Sequence, residues 1–342
     1  MRRRKSGKRI ALILLCTVLA AILTAMLGVT FMAHSLMNKM NRVDASDSST
    51  ISMQELEAYL EAEKEESGGS GPAISDADVD WGQTSTTLLG ESDEVINILL
   101  IGQDRRPGET RARSDSMILC TINREKKTIV LTSFMRDLYV QIPGYGNNRI
   151  NASYAWGGME LLNKTLEQNF GVYIDGNVEV DFEQFSEIVD LLGGVSMELR
   201  ADEAQYINID TQSSLTEGFQ QLTGKQALSY SRIRNLDADA DFSRTNRQRK
   251  VLDALFRQVK DAGLVRLLGL LDEVLPMVTT DMGNGEILNY ATKVFPVLSG
   301  SSISSQRVPA DGAYQGAMID GMSVLVADMD KTRQMLVDTI GE

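Results

Sequence analysis

Histidine is nearly absent from this 342-residue chain, which carries only His34. Its lack beyond that point excludes Ser-His-Asp and Cys-His catalysis there, and any histidine-ligated metal. Cysteine is almost as scarce, with only Cys16 and Cys120. Cys16 falls inside a long apolar run, which leaves Cys120 alone and no intrachain disulfide to form. An exported chain without disulfides fits a bacterial surface better than a compartment that matures proteins oxidatively. A metal held without histidine or cysteine needs oxygen ligands, which suits Mg²⁺ or Mn²⁺. The chain shows no internal repeat and no nucleic-acid module, and with a formal net charge of −13 it is too acidic for one.

Formal charge is missing from residues 10–38, while Arg2, Arg3, Arg4, Lys5, Lys8 and Arg9 crowd the nine residues before them. An apolar run of this length can cross a bilayer, which takes about 20 residues. A cleavable signal peptide has an apolar region of only about 7–15 residues. The expectation is therefore a basic cytoplasmic tail over 1–9 and an uncleaved transmembrane helix over 10–33, with everything after it outside the cell membrane. Residues 34–93 read as an extracytoplasmic stalk. The part from Asp44 to Asp93 holds thirteen acids against Lys64 alone. A short helix is predicted over 52–66, broken by Ser67-Gly68-Gly69-Ser70-Gly71-Pro72. Most of the chain's acidity sits in this stalk, so the low pI says little about a site elsewhere.

A folded domain is expected over 94–262, with 263–342 either continuing it or forming an appended helical region. Short apolar runs predict strands at 95–101, 117–122, 128–132, 177–180 and 195–199, the second and third joined as a hairpin. Helices are predicted at 156–170, ended by Gly171, and at 182–192, ended by Gly193-Gly194. Further helices are predicted at 224–231, 246–260, 264–275, 286–297 and 331–340. This alternation argues for an α/β fold with a central mixed sheet flanked by helices.

Arginine gathers at three places where this reading puts strand or helix ends. The densest is residues 230–249, which holds Arg232, Arg234, Arg244, Arg247 and Arg249 with Asp237, Asp239 and Asp241. Val251, Leu252, Leu255, Phe256 and Val259 predict an amphipathic helix after it, with Thr245 as N-cap and Gln248 closing a capping box. That puts three arginines at the positive end of a helix dipole, which disfavours them unless an anion sits in front. The alternative is a solvated basic face. The other clusters are Gly102-Gln103-Asp104-Arg105-Arg106 with Arg113-Ser114-Asp115-Ser116, and Met135-Arg136-Asp137. Lysine is absent from all three clusters although used at Lys126, Lys127, Lys164 and Lys225. The planar guanidinium fork grips phosphate oxygens bidentately, so its selective use favours a phosphate ligand. Asp104 and Asp115 could ligate a divalent cation beside it, or could pair with neighbouring arginines.

These clusters, together with Asn97-Ile98-Leu99-Leu100-Ile101, Arg149-Ile150-Asn151-Ala152-Ser153-Tyr154-Ala155-Trp156-Gly157-Gly158 and Val189-Asp190-Leu191-Leu192-Gly193-Gly194-Val195, resemble the successive motifs of the LytR-CpsA-Psr family over about 95–260. The resemblance implies a transferase that moves a glycopolymer from a polyprenyl-pyrophosphate carrier to peptidoglycan. It implies Mg²⁺ on Asp104 and Asp115, and pyrophosphate held by Arg105, Arg113, Arg136, Arg232, Arg234, Arg244 and Gln248. Asp104, Asp115, Arg136 and Asp241 take the implied catalytic positions. The prenyl tail would fill an apolar pocket between sheet and helices. Met135 stands where the family usually has proline, and Ser243 where it usually has glycine. A polyprenyl-pyrophosphate-binding regulator and a pyrophosphatase are the competing readings. The nature of the polymer, teichoic acid, capsule or another wall glycan, is not written in these motifs.

Overall fold

The computed structural model describes residues 35–43, 51–52, 54–57, 59, 71–82, 88–103, 112–237, 240–261, 264–298 and 300–341. The expected transmembrane helix lies outside these residues, and among the described residues no helix is long and apolar enough to cross a membrane. The chain opens with β1 (Asn41–Arg42), β2 (Val95–Gln103), β3 (Ser114–Asn123), β4 (Thr128–Phe134), β5 (Tyr139–Ile142) and β6 (Gly146–Arg149). There follow α1 (Ile150–Phe170), β7 (Gly176–Asp181), α2 (Phe182–Leu191), β8 (Val195–Leu199), α3 (Ala201–Thr211), β9 (Gly218–Leu222), α4 (Gly224–Arg232) and α5 (Ala240–Asp261). The last part comprises α6 (Leu264–Val274), β10 (Thr279–Thr280), α7 (Asn284–Leu298), β11 (Ser302–Val308), β12 (Tyr314–Ile319), β13 (Met322–Ala327) and α8 (Met329–Ile340).

The central sheet is mixed and seven-stranded, in the order β1-β10-β7-β2-β3-β4-β11. Its middle strands are apolar on both faces, which is what a sheet covered twice requires. Leu99, Ile101, Met117, Leu119 and Phe134 point to one face and pack with Trp156, Leu162 and Leu166 of α1 and Leu336 and Ile340 of α8. Ile96, Ile118, Cys120, Ile122, Ile129 and Leu131 point to the other, against Leu252 and Phe256 of α5 and Tyr290 and Val294 of α7. A further core joins α2, α3, α4 and α5 to the antiparallel pair β8–β9 through Val189, Val195, Ile207, Leu222, Tyr230 and Val251. That layer overhangs the C-terminal ends of β2 and β7, which run parallel. Clefts of this kind at strand C-termini are where open α/β sheets place ligands.

The predicted strands are present, most of them longer at their polar ends, and the β3–β4 hairpin turns through residues 124–127 as expected. Three local expectations are corrected. The helix predicted at 156–170 begins at Ile150 and is interrupted at Gly157 and Gly158, the latter with φ 63° and ψ −151°, a conformation open to glycine alone. Helix α4 runs to Arg232, one residue past its predicted end. Helix α5 begins at Ala240, so Thr245 is no N-cap but an interior residue whose hydroxyl reaches the Met135 sulfur at 3.3 Å. The apolar periodicity that signalled α5 starts only at Val251. Its first turn is held instead by Phe242, stacked on Tyr314 at 4.8 Å and lying under the Arg307 guanidinium at 4.3 Å.

The described parts of the acidic segment 34–93 pack against the domain. Strand β1 pairs with β10 at the sheet edge, and the chain at Pro72 and Ile74 hydrogen-bonds along β12. Trp81 stacks on Tyr139 at 5.9 Å. Residues beyond 263 supply α6, β10, α7, β12, β13 and α8, and add β11 to the main sheet beside β4 over its whole length.

Candidate active site

Asp115 owes its position to an irregularity between β2 and β3. Gly102 pairs with Ser116 and Gln103 with Ser114, so Asp115 is the extra residue of a β-bulge. A bulge re-aims a side chain that regular pleating would send elsewhere. Asp115 Oδ1 accepts a hydrogen bond from Arg136 Nη1 at 2.9 Å, each side chain 22% exposed. Arg136 follows β4 in a tight turn fixed from α1: Ile150 N–H donates to the Leu138 carbonyl and Asn151 N–H to that of Arg136, at 2.8 and 3.3 Å. Arg149 adds an ion pair to Asp137 at 3.9 Å. The Arg149-Ile150-Asn151 motif therefore works as the brace behind Arg136.

Across the cleft, Arg232 is the last residue of α4 and Arg234 lies just beyond it. Ile233 between them is extended (φ −58°, ψ 124°) and fully buried. Alternation about that buried residue sends both arginines the same way. The Arg232 guanidinium lies 5.0 Å from the centre of the Phe182 ring. Arg244 and Gln248, one turn apart on α5, share a face. Asp115, Arg232, Arg234, Arg244 and Gln248 line one cavity with Phe182, Tyr206 and Asp210, enclosing about 980 Å³ with its open mouth. Phe182 and Gln248 also line a second, apolar cavity of about 570 Å³ between the sheet and α2, α4 and α5. Its walls include Leu100, Ile118, Val180, Phe185, Leu228, Val251 and Leu252. An arginine-lined chamber thus opens beside an apolar slot.

The remaining arginines of the 230–249 stretch do other work. Arg247 is buried and donates to Glu203 Oε1 at 2.9 Å and to Asp237. Arg200 binds the same Asp237 at 2.8 Å. The hydrogen bonds from Arg200 and Arg247 hold the Asp237 carboxyl below the usual carboxylate range. Arg249 is buried too, and desolvation, with Arg307 nearby, lowers its guanidinium to about 10. The picture of three arginines crowding a helix N-terminus is therefore corrected: only Arg244 faces the cavity, because the helix starts a turn earlier.

Asp104 and Arg105 lie outside the described residues. Gln103, the residue before them, is anchored through its side chain to buried Glu179, which Tyr154 also contacts. Ala112 N–H donates to Gln103 Oε1 at 3.1 Å, so the strand ends on either side of 104–111 are tied together. Asp241 falls in the first turn of α5, and its side chain is not among those described. Arg113 is directed to Tyr59 rather than to the lining of the cavity. Sequence reasoning passed over Phe182, Phe185, Leu228, Tyr206 and Asp210. The two last are spaced i, i+4 on a helix with too little apolar periodicity to be noticed.

The donor set admits a hard cation: Asp115 offers carboxylate oxygen, of which only Oδ1 is engaged, by Arg136, among the described contacts. Guanidinium groups lining a chamber beside an apolar slot make a site suited to an amphiphilic anion. The family is equally plain, since the LytR_cpsA_psr family model matches residues 36–339, and the chain belongs to that family. It is similar to regulatory protein MsrR of Staphylococcus aureus (strain COL), at 32% identity over 257 residues, 74% of this chain and 76% of that one. It is also similar to the polyisoprenyl-teichoic acid–peptidoglycan teichoic acid transferase TagT of Bacillus subtilis (strain 168), at 33% identity over 228 residues, 64% of this chain and 69% of that one. Its fold matches the solved structure of the LytR-CPS2A-psr family protein YwtF (TagT) with bound octaprenyl pyrophosphate lipid. There the TM-score is 0.58 and the identity 26%, covering 77% of this chain and 99% of that one.

Proposed function

We propose that this chain is a transferase that moves a glycopolymer from a polyprenyl-pyrophosphate carrier to peptidoglycan. The observation that carries the reading is the junction at Phe182 and Gln248 of the arginine-lined chamber and the apolar slot. A pyrophosphate in the chamber with its prenyl chain in the slot satisfies both, and the relatives named above support the same substrate class. The slot buries the first isoprene units, which orients the pyrophosphate. Arg232 and Arg234 grip it from one side and Arg244 from the other. Arg136, held by Asp115 and braced by α1, adds charge where the transferring phosphoryl group becomes more negative. A peptidoglycan sugar hydroxyl attacks the sugar-proximal phosphorus. The bond to the prenyl-phosphate oxygen breaks, giving a phosphodiester and polyprenyl phosphate. Asp115 and Asp104 are the residues that would hold Mg²⁺, or Mn²⁺, which when bound neutralises phosphate charge.

The forked grip has a direct test in octaprenyl pyrophosphate binding. Arg232→Lys should be nearly as damaging as Arg232→Ala, each weakening binding about ten- to a hundredfold, because lysine keeps the charge without the planar fork. A lysine variant that binds like the parent, with only the alanine variant impaired, would show that charge alone matters.

The same proposal sets residues 10–33 across the cell membrane, the basic tail inside and the domain outside, as a lipid-linked wall precursor demands. Protease added to spheroplasts should digest the domain and leave a membrane-bound stub. A domain that stays protected reverses the orientation.

A further inference from the structure

Resting on that reading, we propose that Asp210, on α3, is the base that receives the proton of the attacking acceptor hydroxyl. Transfer to a sugar hydroxyl needs a group that orients the hydroxyl and takes its proton. Among the described residues two carboxylates line the chamber, Asp115 and Asp210. Asp115 is held by Arg136 and would hold the cation, and both duties compete with proton transfer. Asp210 is exposed and makes no hydrogen bond or ion pair with any of the described residues.

Its place in the chamber fits the role. The chamber is walled by β3, α2, α3, α4 and α5, and of these α3 alone gives no residue to the apolar slot. In phosphoryl transfer the attacking and leaving oxygens stand roughly in line across the phosphorus. The leaving oxygen belongs to the prenyl phosphate, which the slot anchors at Phe182 and Gln248. The acceptor therefore enters from the side away from the slot, where α3 stands.

Asp210 lies in the last turn of α3, one turn after Tyr206 and on the same face. A carboxylate there meets the negative end of the helix dipole, a position that stability alone disfavours. No basic residue in that turn offsets it. The turn is nonetheless fixed. Asn208 Oδ1 accepts from the Leu215 N–H at 2.7 Å, its Nδ2 donates to the Leu215 carbonyl at 2.8 Å, and Ile207 is fully buried. In the step, the hydroxyl oxygen bonds to the sugar-proximal phosphorus as the bond from that phosphorus to the bridging oxygen breaks. The bridging oxygen leaves with polyprenyl phosphate, and the hydroxyl proton passes to an Asp210 carboxylate oxygen and on to solvent.

The test measures glycan transfer to peptidoglycan fragments and octaprenyl pyrophosphate binding, on the full chain in detergent, for the parent, Asp210→Asn and Asp210→Ala. Asp210→Asn should lower kcat for transfer about a hundredfold. It should bind octaprenyl pyrophosphate at least as tightly as the parent, because it removes a negative charge from the chamber. Added formate, a small carboxylate, should restore part of the rate to Asp210→Ala. Transfer by Asp210→Asn within severalfold of the parent, binding lost together with rate, or a rate that formate leaves unchanged each overturn this inference alone. A parent that transfers no glycan removes the functional reading and this inference with it.

Discussion

Asp115→Asn is expected to slow glycopolymer transfer by about two to three orders of magnitude, the cost of removing one pre-organised charge from a phosphoryl-transfer site. Asparagine keeps a carbonyl oxygen where Oδ1 accepts from Arg136, so the bulge and the turn after β4 should persist. What disappears is the negative charge that holds Arg136 in place and would bind the divalent cation. Both side chains are partly buried, 22% exposed, and because the hydrogen bond to Arg136 survives in the asparagine variant the cost to folding should be about 1 kcal/mol. Transfer rates across a Mg²⁺ titration, with a melting curve beside them, separate the two effects. Activity within severalfold of the parent would make Asp115 a plain ion-pair partner and remove the case for metal at this position.

Arg247→Ala is expected to destabilise the domain by about 3–5 kcal/mol, the cost of leaving a buried charge without its partner. Arg247 and Glu203 are only 4% and 6% exposed as side chains, and Arg247 is also the link to Asp237. Its loss leaves the Glu203 carboxylate, in the layer formed by α3, α4 and α5, to the weaker hold of Arg200, whose N–H donates to Oε2 at 3.0 Å and whose Nε lies 3.9 Å from Oε1. The turn carrying Arg234 then loses its tie to α5. Urea denaturation measures the loss, and replacing Arg247 and Glu203 together by apolar residues of similar volume should restore much of it. A loss below about 1 kcal/mol for the single variant would mean the network is solvated. Arg244→Ala, by contrast, should affect ligand binding more than folding, although only three positions separate the two arginines.

That contrast marks what the sequence can and cannot carry. Arginine over lysine at strand and helix ends was legible as a phosphate signature, and Arg232, Arg234 and Arg244 do converge with Asp115 and Gln248. The helix start was not legible, since Phe242 is fixed by Tyr314 and Arg307, residues more than sixty positions away. Without that start, the direction of each arginine on α5 could not be assigned, and Arg247 and Arg249 were grouped with Arg244 at a helix N-terminus facing an anion. The sheet could be read from its doubly apolar middle strands. Strand β11 could not, because Ser302, Ser304 and Ser305 give it no apolar pattern and it is held by pairing with β4. The apolar pocket between sheet and helices was expected from the family resemblance, but its residues could not be assigned: its walls come from β2, β3, β7, α2, α4 and α5, each contributing residues that look like ordinary core.

The most direct test of the central claim follows the fate of a label. The full chain is incubated with Mg²⁺, a polyprenyl-pyrophosphate-linked glycan labelled in its sugar, and peptidoglycan fragments. The label should become covalently attached to the fragments through a phosphodiester as polyprenyl phosphate is released. Label released as free sugar phosphate would make the chain a hydrolase, and donor that stays bound and unchanged would make it a binding protein; either result contradicts the account.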